Sequence, residues 1–384
     1  MVAKTLHGLE PVLAQELMEL GAAEVHEGKR AVSFVGDKAM MYQANMCLRT
    51  ALRILKPIDK FDAIGPDALY NQLKQIDWSQ YLSITSTFAI DATINNSTYF
   101  THSHYVALRS KDAIADQFME KESKRPSVDT IEPDVRVNVH IADSTCTISL
   151  DSSSESLHKR GYRTRAGDAP INEVLAAGIL LLSEWDGKQD LVDPMCGSGT
   201  FLIEAALLAM NRPPNLAREQ FGFMHWKDYD ESLYQQLKED AAKAQQNDCP
   251  VIKGYDVAFG ALSTARTNIE KAGLTEFITL DRADFFRKPP QTEGMYLIFN
   301  PPYGERMKLS EEDFYKKLGD VFKQQYIGST VWMITSDLEN TRFIGLRPSR
   351  KIGLFNGKLE CKLLKYELYE GTKKVHKKNP EENN

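Results

Sequence analysis

The sequence predicts an α/β protein in which smaller α+β modules precede a mainly parallel sheet that closes with an antiparallel hairpin. From residue 166 onwards, apolar runs typical of buried strands alternate with segments of helical periodicity, an order that favours a parallel sheet covered by helices. Near the C-terminus, Asn356-Gly357 separates two strand-like segments and indicates a tight hairpin turn. Before residue 166, short strand and helix patterns alternate less regularly.

The composition is that of an ordinary soluble protein. The chain has 384 residues, of which 42% are hydrophobic, and this is enough for two or three domains with buried cores. The net charge of −6 excludes a uniformly basic surface but allows a local basic patch. Residues 341–378 contain 11 lysines and arginines against three glutamates. We interpret this segment either as a surface that faces phosphate groups or as a solvated hairpin and tail.

The cysteines and the N-terminal segment indicate in which cellular compartment the protein is expected. The five cysteines are scattered, with no CxxC pair and no zinc-ligand spacing, so we expect neither a disulfide framework nor a metal site. A reducing cytoplasm suits this pattern. Near the N-terminus, charged and polar residues occur too often for a long apolar run to form. Nowhere in the sequence are 18 consecutive residues apolar. We therefore expect no signal peptide and no membrane-spanning segment.

The first half of the chain is predicted to contain the short elements of α+β modules. Apolar residues at helical spacing indicate helices, whereas alternating apolar residues indicate half-buried strands. The predicted helices are Gly8–Leu20, Leu48–Leu55 and Lys111–Glu122, and the predicted strands are Ala31–Val35, Phe88–Ile94, Val135–Ile141 and Cys146–Leu150.

The regular β/α alternation begins with a helix after Pro170, a residue that can occupy the first helical position. The predicted helices are Ile171–Trp185, Phe201–Met210, Glu231–Gln246, Ala258–Lys271 and Glu311–Gln325, and the predicted strands are Asp190–Asp193, Val251–Tyr255, Phe277–Leu280, Met295–Phe299 and Thr330–Ile334. A hairpin of Lys351–Phe355 and Lys358–Tyr369 is expected to close the sheet. We interpret residues 211–250 as an insertion in the first crossover, carrying one helix.

A glycine turn joins a predicted strand to a helix in Asp193-Pro-Met-Cys-Gly-Ser-Gly-Thr200. Glycines let the backbone approach a nucleoside cofactor, and the N–H groups that begin the following helix point towards it. A plain strand-to-helix turn has the same pattern, so a single GxG is weak evidence. Leu202 replaces the third glycine of a dinucleotide fingerprint, and no GK[ST] follows. Neither a dinucleotide site nor a P-loop is therefore expected.

Polar side chains follow four consecutive predicted strands. Asp193 ends the first strand, Asp256 follows the second, Asp284 follows the third and Asn300 follows the fourth. The carboxyl ends of parallel strands lie at one edge of a sheet, where open α/β sheets bind ligands. A single acid after a strand often caps a helix, but an ordered set of four favours a binding site.

The fourth of these strands runs directly into Asn300-Pro-Pro-Tyr303. Consecutive prolines cannot donate hydrogen bonds to a sheet ladder, so the strand must end near Asn300 and the backbone beyond it is stiff. Such a turn holds an amide side chain, a backbone carbonyl and an aromatic ring in fixed positions.

The motifs DPMCGSGT, GYD, RADFF and NPPYGER, in this order, resemble those of class I S-adenosylmethionine-dependent methyltransferases that modify exocyclic amino nitrogens of nucleobases. The resemblance covers residues 166–370 and implies a Rossmann-like sheet that binds S-adenosylmethionine. It implies that Asp256 binds the ribose hydroxyls and that Asp284 meets the adenine amino group. The other implied cofactor-binding residues are Asp193, Pro194, Cys196, Gly197, Ser198, Gly199, Thr200 and Asn300, with Gly197 and Gly199 at the methionine end.

This resemblance also gives the proline turn a catalytic interpretation. An exocyclic amine is a poor nucleophile because its lone pair is delocalised into the ring. The Asn300 side-chain oxygen and the Pro301 carbonyl can accept its two N–H groups while Tyr303 stacks on the base, and Pro301 and Pro302 keep the acceptors fixed. The target base has to leave its stack to reach such a pocket.

Residues 1–165 resemble the ferredoxin-like and THUMP modules that precede the catalytic domain of some RNA methyltransferases. The motifs are CLRTALRIL, KDAIADQF, RPSVD, PDVRVNVHI and LHKRGYR. The implied domains are residues 1–60, 61–165 and 166–384. Together with NPPYGER, they indicate the bacterial enzymes that form N2-methylguanosine in 23S rRNA, here with a single catalytic domain. The basic segment 158–165 is either an RNA contact or a plain linker.

The sequence therefore predicts guanine-N2 methylation of RNA, most of all 23S rRNA or a large-subunit intermediate. Three alternatives stay open: a tRNA guanine-N2 methyltransferase with the same module order, an adenine-N6 DNA methyltransferase, and a non-catalytic RNA-binding assembly factor. The THUMP-like half favours RNA over DNA. The intact glycine turn and proline turn argue against a non-catalytic factor.

Overall fold

The N-terminal half forms one sheet of eight strands. The computed structural model describes residues 1–163, 171–288, 294–302 and 310–371. The strands are β1 (Val2–Lys4), β2 (Ala23–Gly28), β3 (Ala31–Val35), β4 (Arg53–Asp62), β5 (Thr87–Asn95), β6 (Ser127–Val128), β7 (Val135–Ala142) and β8 (Thr145–Asp151). They pair in the order β2-β3-β1-β4-β8-β7-β5-β6, and only β5 pairs in parallel, with β6 and β7.

Four helices accompany this sheet. They are α1 (Glu10–Glu19), α2 (Lys38–Cys47), α3 (Pro66–Gln75) and α4 (Ser103–Glu122). On β7, Val135, Val137 and Val139 are buried while the residues between them are half-buried, which is the period of two expected of a strand with one face in the core. No helix in the described ranges combines the length and the apolar content that crossing a membrane requires.

The prediction of a helix over Leu48–Leu55 is wrong. Helix α2 ends at Cys47, and β4 begins at Arg53 between β1 and β8. Ile54 and Leu55 are both buried because β4 is an interior strand with both faces covered at this point. Consecutive buried residues do not distinguish a strand from a buried helix by periodicity, so the partners available in the sheet decide the outcome.

Strand β4 connects the two N-terminal modules. Its residues Arg53–Leu55 pair with β1, and Leu55–Asp62 pair with β8. Because β4 continues past residue 60, both modules contribute strands to the same sheet. The division at residue 60 remains a proposal about sequence modules, and the sheet itself is continuous across it.

The described residues between 171 and 371, named the catalytic half here after the resemblance given above, contain a second sheet of seven strands. The strands are β9 (Leu191–Asp193), β10 (Ile252–Asp256), β11 (Ile278–Arg282), β12 (Tyr296–Phe299), β13 (Thr330–Thr335), β14 (Arg350–Asn356) and β15 (Leu359–Glu367). Their order is β11-β10-β9-β12-β13-β15-β14, with β9 to β13 parallel and β15 antiparallel to both of its neighbours. The expected parallel sheet with a closing hairpin is confirmed.

The described residues of this half form five α-helices: α5 (Glu173–Leu182), α6 (Thr200–Ala209), α7 (Glu231–Lys243), α8 (Phe259–Lys271) and α9 (Glu311–Gln325). Asn172 caps α5, since its side chain accepts hydrogen bonds from the backbone N–H groups of Val174 and Leu175. Pro170, the expected first helical residue, lies outside the described residues. In the hairpin, Asn356 pairs with Leu359, so the turn lies one residue later than expected.

The insertion 211–250 packs against the N-terminal half. Besides α7 it carries a short 3₁₀ helix, Gly222–His225. Phe221, Phe223 and Tyr234 are fully buried in the N-terminal core. Tyr42 of α2 stacks on Phe223, with the ring centroids 4.3 Å apart. A segment of the catalytic half therefore completes the hydrophobic core of the other half.

The loop before α1 makes a second contact between the halves. A Cβ at Gly178 of α5 would lie 2.6 Å from the Leu9 side chain, and a Cβ at Gly8 would lie 2.9 Å from the Gly353 carbonyl oxygen. Gly8 also has a φ of +89°, which favours glycine. The loop thus covers part of β14, which would otherwise be an open edge strand.

Replacing Phe223 with alanine should destabilise the chain, because its buried ring packs between Tyr42 and Tyr234. Removing a buried phenylalanine ring costs about 3–5 kcal/mol. We expect the midpoint of chemical denaturation to fall, and hydrogen exchange to accelerate in the N-terminal sheet although the substitution lies in the catalytic half. Glu219→Ala, at an exposed position of the same insertion, is the matched control. Identical midpoints for the two variants would contradict the packing described.

Candidate active site

A cavity of about 660 Å³ lies at the carboxyl ends of β9 to β12. Strand β9 lies between β10 and β12, so the chain order of the sheet reverses here, which is where open α/β sheets bind ligands. The volume is within the range of about 300–1,000 Å³ typical of small-molecule sites. The residues predicted from the sequence that line it are Asp193, Pro194, Cys196, Gly197, Ser198, Thr200, Asp256, Asp284, Asn300, Pro301 and Pro302.

The two glycines of the turn between β9 and α6 have different surroundings. Gly197 and Gly199 both have positive φ, +52° and +79°. A Cβ at Gly197 would meet no atom within 4 Å, so this residue leaves the cavity open. A Cβ at Gly199 would lie 3.2 Å from the Cβ of Ala265 on α8. Gly199 is not among the residues that line the cavity, and its small size serves helix packing.

The Asp256 carboxylate organises this turn. Its Oδ2 accepts a hydrogen bond from the Gly197 N–H at 3.0 Å, and its Oδ1 accepts one from the Ala258 N–H at 2.8 Å. The Cys196 N–H donates to the carbonyl of Tyr255 at 2.9 Å, which joins the turn to the end of β10. Each carboxylate oxygen is therefore held in place and keeps a lone pair for a ligand hydroxyl.

Asp193 adds a second, buried carboxyl group. It is 2% exposed, and its Oδ1 accepts a hydrogen bond from the Met195 N–H at 3.1 Å. Burial raises the pKa of Asp193 well above its usual range; the Met195 N–H opposes this shift, and the neighbouring Asp256 adds to it. Burial also raises the pKa of the Cys196 thiol, so this cysteine is an unreactive packed residue.

The segment after β11 contributes one acid and two aromatic rings. The Asp284 Oδ1 accepts a hydrogen bond from the Phe286 N–H at 3.0 Å. Phe285 and Phe286 line the cavity beside it. Phe286 also forms an edge-to-face pair with Phe314 of α9, with centroids 5.4 Å apart. This side of the cavity therefore combines a fixed carboxylate with an aromatic wall.

Asn300 and the prolines close the opposite side. Asn300 and Pro302 are half-buried and Pro301 is buried. Within the described residues, the Asn300 side chain has no hydrogen-bond partner, so its amide is available to a ligand. Tyr303, the predicted stacking residue, lies outside the described residues.

Sequence reasoning missed part of the lining. The first residues of α8 and the aromatic residue Phe314 belong to it. The α8 residues follow Asp256 directly, so their place after a strand end could have revealed them. Phe314 gave no such signal, since helical periodicity indicates only that it is buried.

Three side chains of the basic segment 158–165 turn inwards, whereas Lys159 is exposed. Arg160 is 5% exposed, and its Nε lies 3.7 Å from the Glu204 carboxylate of α6. The Tyr162 hydroxyl donates to the same carboxylate at 2.9 Å. Arg163 donates from Nη2 to Thr200 Oγ1 at 3.1 Å. These side chains fix the start of α6, so the linker interpretation applies to them and the RNA-contact interpretation does not.

The sequence matches known families over most of its length. Residues 160–365 match the family described as RMKL-like, methyltransferase domain. Residues 66–151 match the THUMP domain, and residues 1–55 match the RlmL ferredoxin-like domain. The chain belongs to the RMKL-like methyltransferase family. The expected methyltransferase fold and the presence of both N-terminal modules are thereby confirmed.

Two relatives of this RMKL-like methyltransferase match it over nearly its whole length but differ in their own lengths. A protein of Synechocystis sp., named as a candidate RNA methyltransferase, is 39% identical over 371 residues, which cover 96% of each chain. The ribosomal RNA large subunit methyltransferase K/L of Desulfotalea psychrophila is 39% identical over 366 residues, which cover 93% of this chain and 51% of that protein. The chain thus spans about half the length of the K/L relatives.

Solved structures share the whole fold. A candidate methyltransferase crystallised with SAH has a TM-score of 0.86 and 27% identity, covering 97% of this chain and 98% of its own. A Listeria monocytogenes protein, named a predicted N6-adenine-specific DNA methylase, has a TM-score of 0.85 and 29% identity, covering 96% and 95%. Both include the N-terminal half, so its arrangement recurs in these relatives of the RMKL-like methyltransferase.

Asp193 should make the stability of this RMKL-like methyltransferase depend on pH. Because burial raises its pKa in the folded state, its stabilising contribution is full below the ordinary value of 3.8 and is lost as the pH rises towards the folded-state pKa. Asp193→Asn cannot ionise, yet its amide oxygen can still accept the Met195 N–H. In thermal melts this variant should exceed the parent in stability near pH 8, and the difference should shrink towards pH 4. A difference independent of pH would contradict this account.

Proposed function

We propose that the protein transfers a methyl group to the exocyclic N2 of a guanine in RNA, with 23S rRNA or a large-subunit precursor as substrate. Its methyl donor is S-adenosylmethionine. The proposal rests on one observation: Asn300 and Pro301 line the same cavity as Asp256 and the glycine turn. Acceptors for an amino group and groups suited to a nucleoside cofactor therefore face one space.

The cavity residues fit a positively charged nucleoside. We assign Asp256 to the ribose hydroxyls, since both of its oxygens are fixed by backbone N–H groups and still have free lone pairs. Gly197 leaves room for the methionine part, and the carboxyl group of Asp193 lines the same space. Asp284 is assigned to the adenine amino group beside the Phe286 ring. The bound cofactor supplies an electrophilic methyl group on a sulfonium.

The proline turn prepares the acceptor nitrogen. The Asn300 side-chain oxygen and the Pro301 carbonyl accept the two N–H groups of the guanine amine, which orients its lone pair towards the methyl group. The Pro301 ring fixes φ, and the following Pro302 restricts ψ of Pro301 and with it the direction of the carbonyl, so this acceptor needs little reorganisation during the reaction. Positioning of this kind lowers a barrier by roughly 7 kcal/mol or more without a covalent intermediate.

The domain and the relatives that accompany this cavity favour one class of substrate. The THUMP match and the names of the K/L relatives favour ribosomal RNA. A nucleobase has to be extruded from its stack to enter, and the aromatic wall of Phe285 and Phe286 suits such a base or the adenine of the cofactor. The name of the Listeria protein gives a reason to measure adenine-N6 methylation in the same experiment.

Nucleoside mass spectrometry of a deletion strain tests the proposal. N2-methylguanosine should fall by one residue per molecule in 23S rRNA and return when the parental protein is supplied on a plasmid. Purified tRNA and DNA from the same cells serve as controls and should be unchanged. Loss of N2-methylguanosine from tRNA, or of N6-methyladenine from DNA, would replace this proposal by the corresponding alternative.

Asp256→Ala should weaken the binding of S-adenosylmethionine. A hydrogen bond to a charged acceptor is worth about 1.5–3 kcal/mol, which corresponds to a loss of roughly tenfold or more in affinity. Titration calorimetry measures the effect. Asp281→Ala removes a carboxylate near the end of β11 that does not line the cavity, so it should keep the parental affinity. Equal affinities for the two variants would remove Asp256 from the site.

Asn300→Ala should separate catalysis from cofactor binding. The lost acceptor matters most when the amine nitrogen develops positive charge, so kcat should fall roughly a hundredfold or more. The affinity for S-adenosylmethionine should stay within about twofold of the parent. Transfer of a labelled methyl group to a 23S rRNA transcript gives the rate. A parental rate in this variant would show that Asn300 is not part of the acceptor site.

A further inference from the structure

The hairpin of β14 and β15 lies beside the Asn300 end of the cavity. In the sheet, Phe299 pairs with Met333 of β13, and Thr335, two residues later, pairs with Lys362 of β15. Neighbouring strands are about 4.8 Å apart, so Lys362 lies roughly 10 Å from the point where β12 leads into Asn300. The tip of the hairpin therefore projects at the same edge of the sheet as the cavity.

One face of this hairpin is packed and the other is open near the tip. Leu354 is fully buried on the packed face. Because side chains alternate along a strand, Lys351, Gly353 and Phe355 point to the opposite face, and Lys362 lies directly across from Gly353. Gly353 is exposed, and a Cβ there would meet no atom within 4 Å. The open face thus has a shallow notch at Gly353, bordered by lysines.

The lysines at this notch have uncompensated charge. Lys351 and Lys358 are exposed and Lys362 is half-buried, and none of them forms an ion pair within the described part of the chain. Arg350 and Lys365, whose side chains point to the packed face, each have a carboxylate partner. On the open face, by contrast, the lysines have no ion-pair partner among the described residues, although Glu360 lies on that face.

We propose that the side chains around this notch, Lys351, Phe355 and Lys362, together with Lys358 of the adjoining turn, form a hairpin face that binds phosphate groups of the substrate RNA next to the nucleotide held in the cavity. The inference rests on the function proposed above and names the surface that meets the RNA backbone. Three lysines outweigh Glu360, the carboxylate opposite Phe355. Lysines supply sequence-independent affinity for phosphates. The half-buried Phe355 ring lies 5.5 Å from the His7 ring, so two aromatic side chains lie beside the lysines, and aromatic side chains are the groups on which unstacked bases pack.

The notch permits a test that removes no existing contact. Gly353→Glu places a negative charge among the lysines, and Gly353→Gln places a neutral side chain of nearly equal size in the same open space. With an unmodified 23S rRNA transcript, Gly353→Glu should raise the dissociation constant and the KM for RNA about tenfold. It should leave kcat at saturating RNA and the affinity for S-adenosylmethionine within about twofold. Gly353→Gln should resemble the parent.

A second variant measures the phosphate contacts themselves. Each lost phosphate contact reduces the slope of log K against log salt by about 0.7 for single-stranded and 0.9 for duplex nucleic acid. Lys351→Gln combined with Lys362→Gln should therefore flatten the slope by roughly 1.4 to 1.8. Lys243→Gln, on the insertion helix α7, is the control and should keep the parental slope.

The outcomes distinguish a failure of the hairpin face from a failure of the proposed function. If the parental protein methylates the transcript but Gly353→Glu binds and reacts like Gly353→Gln, the hairpin face is overturned while the proposed function stands. An unchanged salt slope in the double lysine variant has the same consequence. If the parental protein methylates no RNA, the proposed function fails and the hairpin face fails with it.

Discussion

The buried carboxylate of Glu204 is the constraint on which the geometry of the cavity depends. It is 1% exposed on α6, the helix that begins at the glycine turn. Burial raises its pKa, and the Arg160 guanidinium and the Tyr162 hydroxyl oppose that shift. A charge buried this deeply requires its partners in fixed positions. Arg160 and Tyr162 therefore hold α6 through Glu204. In this way they also hold the glycine turn at which α6 begins and the cavity opens.

The N-terminal half holds the other end of the same helix. The Arg49 Nη2 donates hydrogen bonds to the carbonyls of Leu207 and Arg212, at 3.1 and 3.0 Å, where α6 leaves carbonyl groups without helical partners. Arg160 donates to the Arg49 carbonyl, so the two arrangements are joined. With the aromatic packing of the insertion, these contacts hold the N-terminal half against α6, the helix that begins at the cavity.

The sequence predicted the structure best where an element is determined by residues that are close together in the sequence. The predicted bounds of α9, Glu311–Gln325, agree with the structure because its apolar stripe and the Ser310 cap are local signals. Ile54 was misassigned because Ala3, its partner in β1, is remote in sequence. Arg160 resembled an RNA contact for the same reason, since nothing local shows that it is buried beside Glu204. Strand ends predicted the edge of the cavity, whereas Phe314 reaches it only through the packing of α9.

The insertion imposes an order on synthesis and folding. Phe221, Phe223 and Tyr234 fill the core of the N-terminal half but are translated about 80 residues after β8, the last strand of that sheet, has been made. At roughly 5–20 residues per second, the ribosome needs about 4–16 s to supply them. During this interval the emerging sheet exposes the apolar surface around Tyr42 that the insertion later covers. The nascent chain therefore passes through a vulnerable period in which chaperones and aggregation compete for that surface.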